Sequence, residues 1–226
     1  MNIKILPLLL IGAITFAGCE KDKADLAPTT PGGGAQTGPA NGLLMLDVGS
    51  FGPVLTQDAQ AVFKQSNDSV NAGVVSINGI VLEWDTEYKI YANEEDNTAL
   101  NQPTVNWSVS GGNGWPGFTT NAGGATLPVI TGEITSPAQI NLSNGYTLTV
   151  GGLTGADSTF FEINEIARGV AGNAVSMTFT PAQLQPLQGQ QSFVAKVWGK
   201  KTVRQTHGGK TVDIVLMRTA YKFLTL

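Results

Sequence analysis

The chain predicts an all-β sandwich with one short crossover helix, and three observations carry that prediction. Its 226 residues include 28 Gly and 11 Pro spread along the length, the punctuation expected of many turns between short strands. From residue 42 onward, apolar residues recur with period two and almost never with helical period. Hydrophobic residues make up 42% of the chain, enough for a packed core rather than a disordered one. The single Cys excludes a disulfide scaffold and a Cys-rich zinc site, and the single His leaves His-dependent catalysis hanging on one residue.

In chain order, residues 1–18 come first: Met-Asn-Ile-Lys and then an apolar run too short to span a bilayer as a mature helix, which is the pattern of a secretory signal. The run stops at Phe16-Ala17-Gly18-Cys19, which resembles the lipobox of bacterial lipoproteins, with Phe16 in place of the usual aliphatic residue. The resemblance implies that the Cys19 thiol receives a diacylglyceryl group and that palmitate-type acyl chains hold the mature N-terminus in a membrane. Two chains anchor stably where one is marginal. Glu20-Lys21-Asp22-Lys23-Ala24-Asp25 follows, and a Cys before such a tract resembles the export pattern of Bacteroidetes-type surface lipoproteins, which implies an outer-membrane protein facing the cell exterior. Residues 26–41 are Pro-, Gly- and Thr-rich and cannot bury apolar surface, so residues 19–41 constitute the lipidated Cys and a flexible linker. The tether from 20 to 41 has a root-mean-square reach of about 25 Å.

Within the body, the two-residue turn Asn78-Gly79 pairs Ile77 with Ile80 and Val75 with Leu82, setting Val75, Ile77, Ile80, Leu82 and Trp84 on one face. Val105, Trp107 and Val109 alternate with Asn106, Ser108 and Ser110 as a half-buried strand does. A three-residue loop at Ser143-Asn144-Gly145 is expected to make a hairpin, because it alone brings Ile140, Leu142, Tyr146, Leu148 and Val150 to one side. Thr180-Pro181-Ala182-Gln183 has the hydroxyl, Pro and Gln of a capped helix start, with Phe179 and Leu184 placed to staple it. At the C-terminus, a Gly208-Gly209 turn pairs Arg204 with Asp213, Val203 with Ile214, Val197 with Ala220 and Val194 with Phe223, so one register satisfies an ion pair and three apolar pairs.

Inward Trp107 resembles the core Trp of immunoglobulin-like domains, without their Cys pair. Trp107 to Gly114, Ser176 to Leu184 and Gly208-Gly209-Lys210 together resemble the immunoglobulin-like antiparallel β-sandwich of Bacteroidetes-type surface lipoproteins, a family that carries no established catalytic residues. The expected organisation is therefore signal 1–18, anchor and linker 19–41, an N-terminal β-unit 42–97 that is either separate or the opening of the same sandwich, and the sandwich proper 98–226. The boundary falls in the Asn93 to Gln102 segment.

Charge is uneven: residues 42–167 hold 13 acidic and 2 basic side chains, residues 168–226 hold 1 acidic and 8 basic. Lys196, Lys200, Lys201, Arg204 and Lys210 either form a basic patch for an anionic polymer or pair with acidic strands beside them and guard a sheet edge. Cross-strand pairing is the favoured of the two, and without interleaved aromatics or a motif they do not predict nucleic-acid binding. His207, before Gly208-Gly209, has no Gly-x-Ser-x-Gly elbow to serve and is expected to be a turn residue. Glu83, Asp85, Glu87, Glu133, Glu162 and Glu165 could supply a glycosidase pair, but their spacing is that of solvated strand faces. Glu94-Glu95-Asp96-Asn97 lacks the spaced ligands and Gly of a calcium loop, so no metal or cofactor is expected.

Trp115, in a Gly- and Pro-rich loop, is either a plug over the end of the sandwich, the favoured reading, or an exposed platform for a sugar or protein. Asp68-Ser69-Val70 and Asp157-Ser158-Thr159 resemble the O-glycosylation acceptor motif of Bacteroidetes-type secreted proteins. The expected function is that of a non-enzymatic, lipid-anchored surface protein for adhesion, carbohydrate binding or envelope assembly with other envelope proteins. Cys19 is its lipidation site, and Trp115, Lys200, Lys201 and Arg204 are its candidate ligand contacts. The alternatives are a carbohydrate-active hydrolase or accessory subunit using carboxylates, and a fibre subunit whose final hairpin extends a neighbour's sheet.

Overall fold

The computed structural model describes residues 38–93 and 100–226. The signal segment, Cys19, most of the linker and Glu94-Glu95-Asp96-Asn97 lie outside the described residues. The described chain is an all-β sandwich with one short α-helix. Its strands are β1 (Gly42–Phe51), β2 (Val54–Gln65), β3 (Asp68–Ser69), β4 (Val75–Ile77), β5 (Ile80–Asp85), β6 (Ile90–Ala92), β7 (Trp107–Val109) and β8 (Phe118–Thr120). They continue as β9 (Val129–Ile134), β10 (Tyr146–Thr154), β11 (Ser158–Ile163), β12 (Ile166–Ala171), β13 (Ser176–Phe179), β14 (Ser192–His207) and β15 (Lys210–Thr225), with helix α1 (Pro181–Leu184) before β14.

Local chemistry sets several of these elements. Asn78 and Gly79 both take positive φ (49° and 84°), and the hairpin pairs Val75 with Leu82 and Ile77 with Ile80. Gly208 and Gly209 turn the chain (φ 53° and 78°) between β14 and β15, whose register includes Arg204↔Asp213, Val203↔Ile214, Val197↔Ala220 and Val194↔Phe223. Thr180 caps α1: its hydroxyl accepts from the Gln183 amide while the Gln183 side chain accepts from the Thr180 amide, a reciprocal capping box. The segment crosses from β13 in the smaller sheet to β14 in the larger one, with Leu184 and Leu187 buried.

The long β14–β15 hairpin is the middle of the larger sheet, whose order is β12-β11-β14-β15-β1-β2-β6-β5-β4-β7-β8, with β3 alongside β2. β1 lies parallel to β15, Gly42 opposite Val212 through Ser50 opposite Ala220, so the sheet is mixed. Strands from residues 42–92 and from beyond residue 98 thus share hydrogen bonds in one sheet. The hairpin guards no sheet edge over Ala195–Lys200 and Val212–Ala220, where β11 and β1 already take its two sides. The smaller sheet is β13-β10-β9.

The hairpin expected around Ser143-Asn144-Gly145 does not form. β10 pairs with β13 over Tyr146–Thr149 and with β9 beyond, while Gln139 bridges to Thr225 and the Ile140 amide donates to the Thr225 carbonyl. The Asn141 side chain accepts from the Ser143 amide to close the loop, and the Tyr146 hydroxyl donates to the Pro137 carbonyl. Ile140, Leu142, Tyr146, Leu148 and Val150 still reach one core, Ile140 from beside the end of β15 and Tyr146, Leu148 and Val150 from β10, rather than by pairing with each other.

Two cores form on the same face of the larger sheet. Leu44, Leu46, Ala61, Phe63, Ile214 and Leu216 pack with Val75, Ile77, Trp107 and Trp115, so the far end of the sheet folds back over its own beginning. Phe161, Ile163, Phe193, Ala195, Val197 and Leu224 pack instead with Leu148, Val150 and Phe179 of the smaller sheet.

Candidate functional site

Trp115 is buried, 4% exposed, and closes the end of the first core. Gly112 and Trp115 exchange backbone hydrogen bonds, and this tight turn carries the indole inward. The ring meets Phe63 edge-on at 4.8 Å, its Nε1 donates to the Lys64 carbonyl at 3.3 Å, and Lys210 Nζ lies 5.8 Å from its centroid. A Cβ on Gly42 would stand 2.8 Å from the indole, so the strand starts on a residue that leaves room for it. No broad face of Trp115 is open to a ligand.

The basic residues do not make one patch. Along β14 side chains alternate, so Lys196, Lys200 and Arg204 share one face and Lys201 points with Val203 to the other. Lys196 bridges to Glu162 at 2.9 Å, Lys201 to Asp157 at 3.5 Å, and Arg204 holds Asp213 through two nitrogens at 2.7 and 2.8 Å. The hydrogen bond to Asp213 raises the pKa of Arg204 further. Lys196 and Arg204 are thus paired across strands and Lys201 with the residue before β11.

His207 is not itself a turn residue: it is the last paired residue of β14, opposite Lys210, and Gly208 and Gly209 take the unusual angles. Its ring stacks on Phe118 at 4.1 Å, and burial lowers its pKa. Asp85 accepts from the amides of Glu87 and Tyr88 and so shapes a turn. In the acceptor-like motifs, Ser69 lies on β3 and is half-buried, while Thr159 is buried and bonded to Gly172 and Ala174. Among the described residues, no cluster of three or more His, Asp or Glu could hold a metal ion.

The surface that the sequence reading missed is the opposite face of the larger sheet. None of its side chains belongs to either core. Phe160 and Trp198, paired across β11 and β14, stack at 5.1 Å with their planes 11° apart. Phe51 and Phe223 meet edge-on at 4.7 Å and are 38% and 60% exposed. Tyr221 lies between these pairs. Two glycines make room for the rings: a Cβ on Gly169 would stand 2.8 Å from Phe160, and one on Gly49 2.9 Å from Tyr221.

Asp47 and Asp58 sit directly opposite each other on β1 and β2 of this face. Burial, with the Asp58 charge adding to it, raises the pKa of Asp47 to about 6, against a hydrogen bond from the Thr219 hydroxyl at 2.8 Å. Tyr221 is pushed up by burial and by the negative charges of Asp47, Asp58 and Glu162. A signal for this face was present in the hairpin register: Trp198 and Tyr221 fall on the side of Arg204 and Asp213, not on the apolar side of Val197 and Val203.

No family model, curated protein or solved structure matches the chain. The fold defines the class, an all-β sandwich, and function resides in the site rather than in the fold.

Proposed function

We propose that the protein is a non-enzymatic surface lipoprotein of the outer membrane, held by acyl chains on Cys19, whose sandwich faces the cell exterior and serves adhesion, carbohydrate binding or envelope assembly. The observation that carries the binding part is the aromatic face of the larger sheet, where Phe51 and Phe223 remain exposed and Phe160, Trp198 and Tyr221 belong to neither core. The anchoring part rests on the signal-like segment that ends at the chain's single Cys. In cells fed a clickable palmitate, the wild-type chain is expected to carry label and to fractionate with the outer membrane. Cys19→Ala is expected to lose both. An unlabelled wild type, or a Cys19→Ala chain that stays in the membrane, overturns the anchoring.

The alternative, a carbohydrate-active hydrolase, draws on one observation: Asp47 and Asp58 are opposed carboxylates beside aromatic rings, with the Asp47 pKa shifted to about 6. Release of reducing ends from a polysaccharide, abolished in Asp47→Asn, would put this reading in place of the first.

A further inference from the structure

We propose that Asn144, in the loop that enters β10, is a self-modification site, where the chain converts its own asparagine through a succinimide to aspartate and isoaspartate. The inference stands apart from the anchor and from any ligand. The step is intramolecular: the Gly145 main-chain nitrogen attacks Cγ of the Asn144 side chain. The N–Cγ bond forms as the Cγ–Nδ2 bond breaks, and Nδ2 leaves as ammonia, carrying away the proton of the Gly145 amide. Water then opens the ring at one or the other carbonyl, which yields aspartate or isoaspartate. A following Gly favours this reaction, because no side chain shields the attacking nitrogen and the backbone bends freely into the ring.

The chain has four Asn-Gly pairs: Asn41-Gly42, Asn78-Gly79, Asn113-Gly114 and Asn144-Gly145. The fold separates them. Asn41 Oδ1 accepts from the Thr211 amide at 2.9 Å and from its hydroxyl at 3.1 Å, while Gly42 is buried between Val212 of β15 and Phe63 of β2. Asn78 Oδ1 accepts from the Asn106 amide at 2.8 Å, and the Asn78 amide donates to the Asn106 carbonyl at 2.8 Å. Asn113 holds its Nδ2 against the Asn71 carbonyl at 2.7 Å.

Asn144 differs from all three. It is exposed, in a turn where its main-chain amide donates to the Asn141 carbonyl at 3.2 Å. Among the described residues, no group bonds its side chain and none accepts from the Gly145 amide. The other three must first break a side-chain hydrogen bond, so a local opening precedes their reaction. At Asn144 both the nucleophile and the leaving group are at hand without one.

The position also fixes what conversion does. Gly145 takes φ 78°, and a Cβ there would stand 2.6 Å from the Phe179 carbonyl oxygen, so the loop lies close against the end of β13. Either product adds a negative charge to an exposed loop, and isoaspartate also lengthens the main chain by one methylene beside that contact. The change is one-way and marks the age of the chain.

The test incubates the full chain, kept in detergent, at mildly alkaline pH, once folded and once in urea. Digestion at acidic pH and mass spectrometry then follow the amide-to-acid exchange in each Asn-Gly peptide. In the folded chain the Asn144 peptide is expected to convert about tenfold faster than any of the other three, the factor that one hydrogen bond supplies. It should give both aspartate and isoaspartate, and in urea the four rates should converge. Asn144→Gln should remove this conversion and leave the other three slow, which also shows that the variant is folded.

Three outcomes overturn the proposal. The first is a folded chain in which another Asn-Gly pair converts as fast as Asn144. The second is an order of rates that persists in urea, which would assign it to flanking sequence rather than to the fold. The third is conversion to aspartate without isoaspartate, the mark of direct hydrolysis of the side-chain amide.

Discussion

The two cores share a spine but are covered in different ways. The first takes Val203, Val212, Ile214 and Leu216 from the distal half of the β14–β15 hairpin and is closed by the same sheet folding back, with Trp107 and Trp115 filling the space. The second takes Phe193, Ala195, Val197, Ala220 and Leu224 from the other half of the hairpin and is closed by a separate sheet and α1. Between them on β14 lies Gly199, where a Cβ would come 2.7 Å from Leu153, 3.1 Å from Ala156 and 3.2 Å from Pro128. A continuous strand pair can therefore serve two lids, provided the crossing point stays small. Among the described residues, the opposite face of the spine contributes to neither core, and there Phe51 and Phe223 stay exposed.

The largest expected effect tests whether two cores on one spine unfold as one unit. Phe63→Ala empties part of the first core and Phe161→Ala part of the second, and each should cost about 3–5 kcal/mol. Because β14 and β15 run through both, either variant is expected to melt in a single calorimetric transition at lower temperature. Two separated transitions would show the cores to be independent.

Gly199→Val attacks the crossing point and should cost about 2 kcal/mol by overpacking. Combining it with either Phe variant and measuring urea unfolding gives the coupling. Additivity with one core but not the other would locate the strain in the latter.

The face opposite the two cores has its own signature. The Asp47 pKa of about 6 lies above the unfolded value near 3.8, so the folded state binds the extra proton. This group's contribution therefore favours folding at low pH and is lost as pH rises from about 4 through about 6. Asp47→Asn should remove that dependence and add on the order of 2 kcal/mol at pH 7, as seen in urea midpoints taken across pH. A wild-type slope that persists unchanged in Asp47→Asn would assign it to other groups. The smallest effect is local to the second core: Thr180→Ala breaks the capping box and should cost about 1 kcal/mol, read from the urea midpoint.

Legibility followed the range of the interactions. The registers around Asn78-Gly79 and Gly208-Gly209, and the cap at Thr180, were all readable because a turn or cap constrains neighbours within a few residues. The same logic failed at Ser143-Asn144-Gly145, where the sequence allows a hairpin but the edge of β10 is taken by β13 and the end of β15 takes Gln139 and Ile140. The basic residues were readable as a set but not as a surface, since strand alternation sends Lys201 away from Lys200.

By itself, then, the sequence determined the strand content, two hairpin registers and the helix cap. Only the tertiary structure decided that β1 lies parallel to β15, across about 170 residues of chain, and so brought Asp47 and Phe51 alongside Thr219 and Phe223. Turn chemistry is local and written in a few side chains. Parallel pairing depends on two whole cores competing for the same spine, and no short stretch of sequence contains that competition.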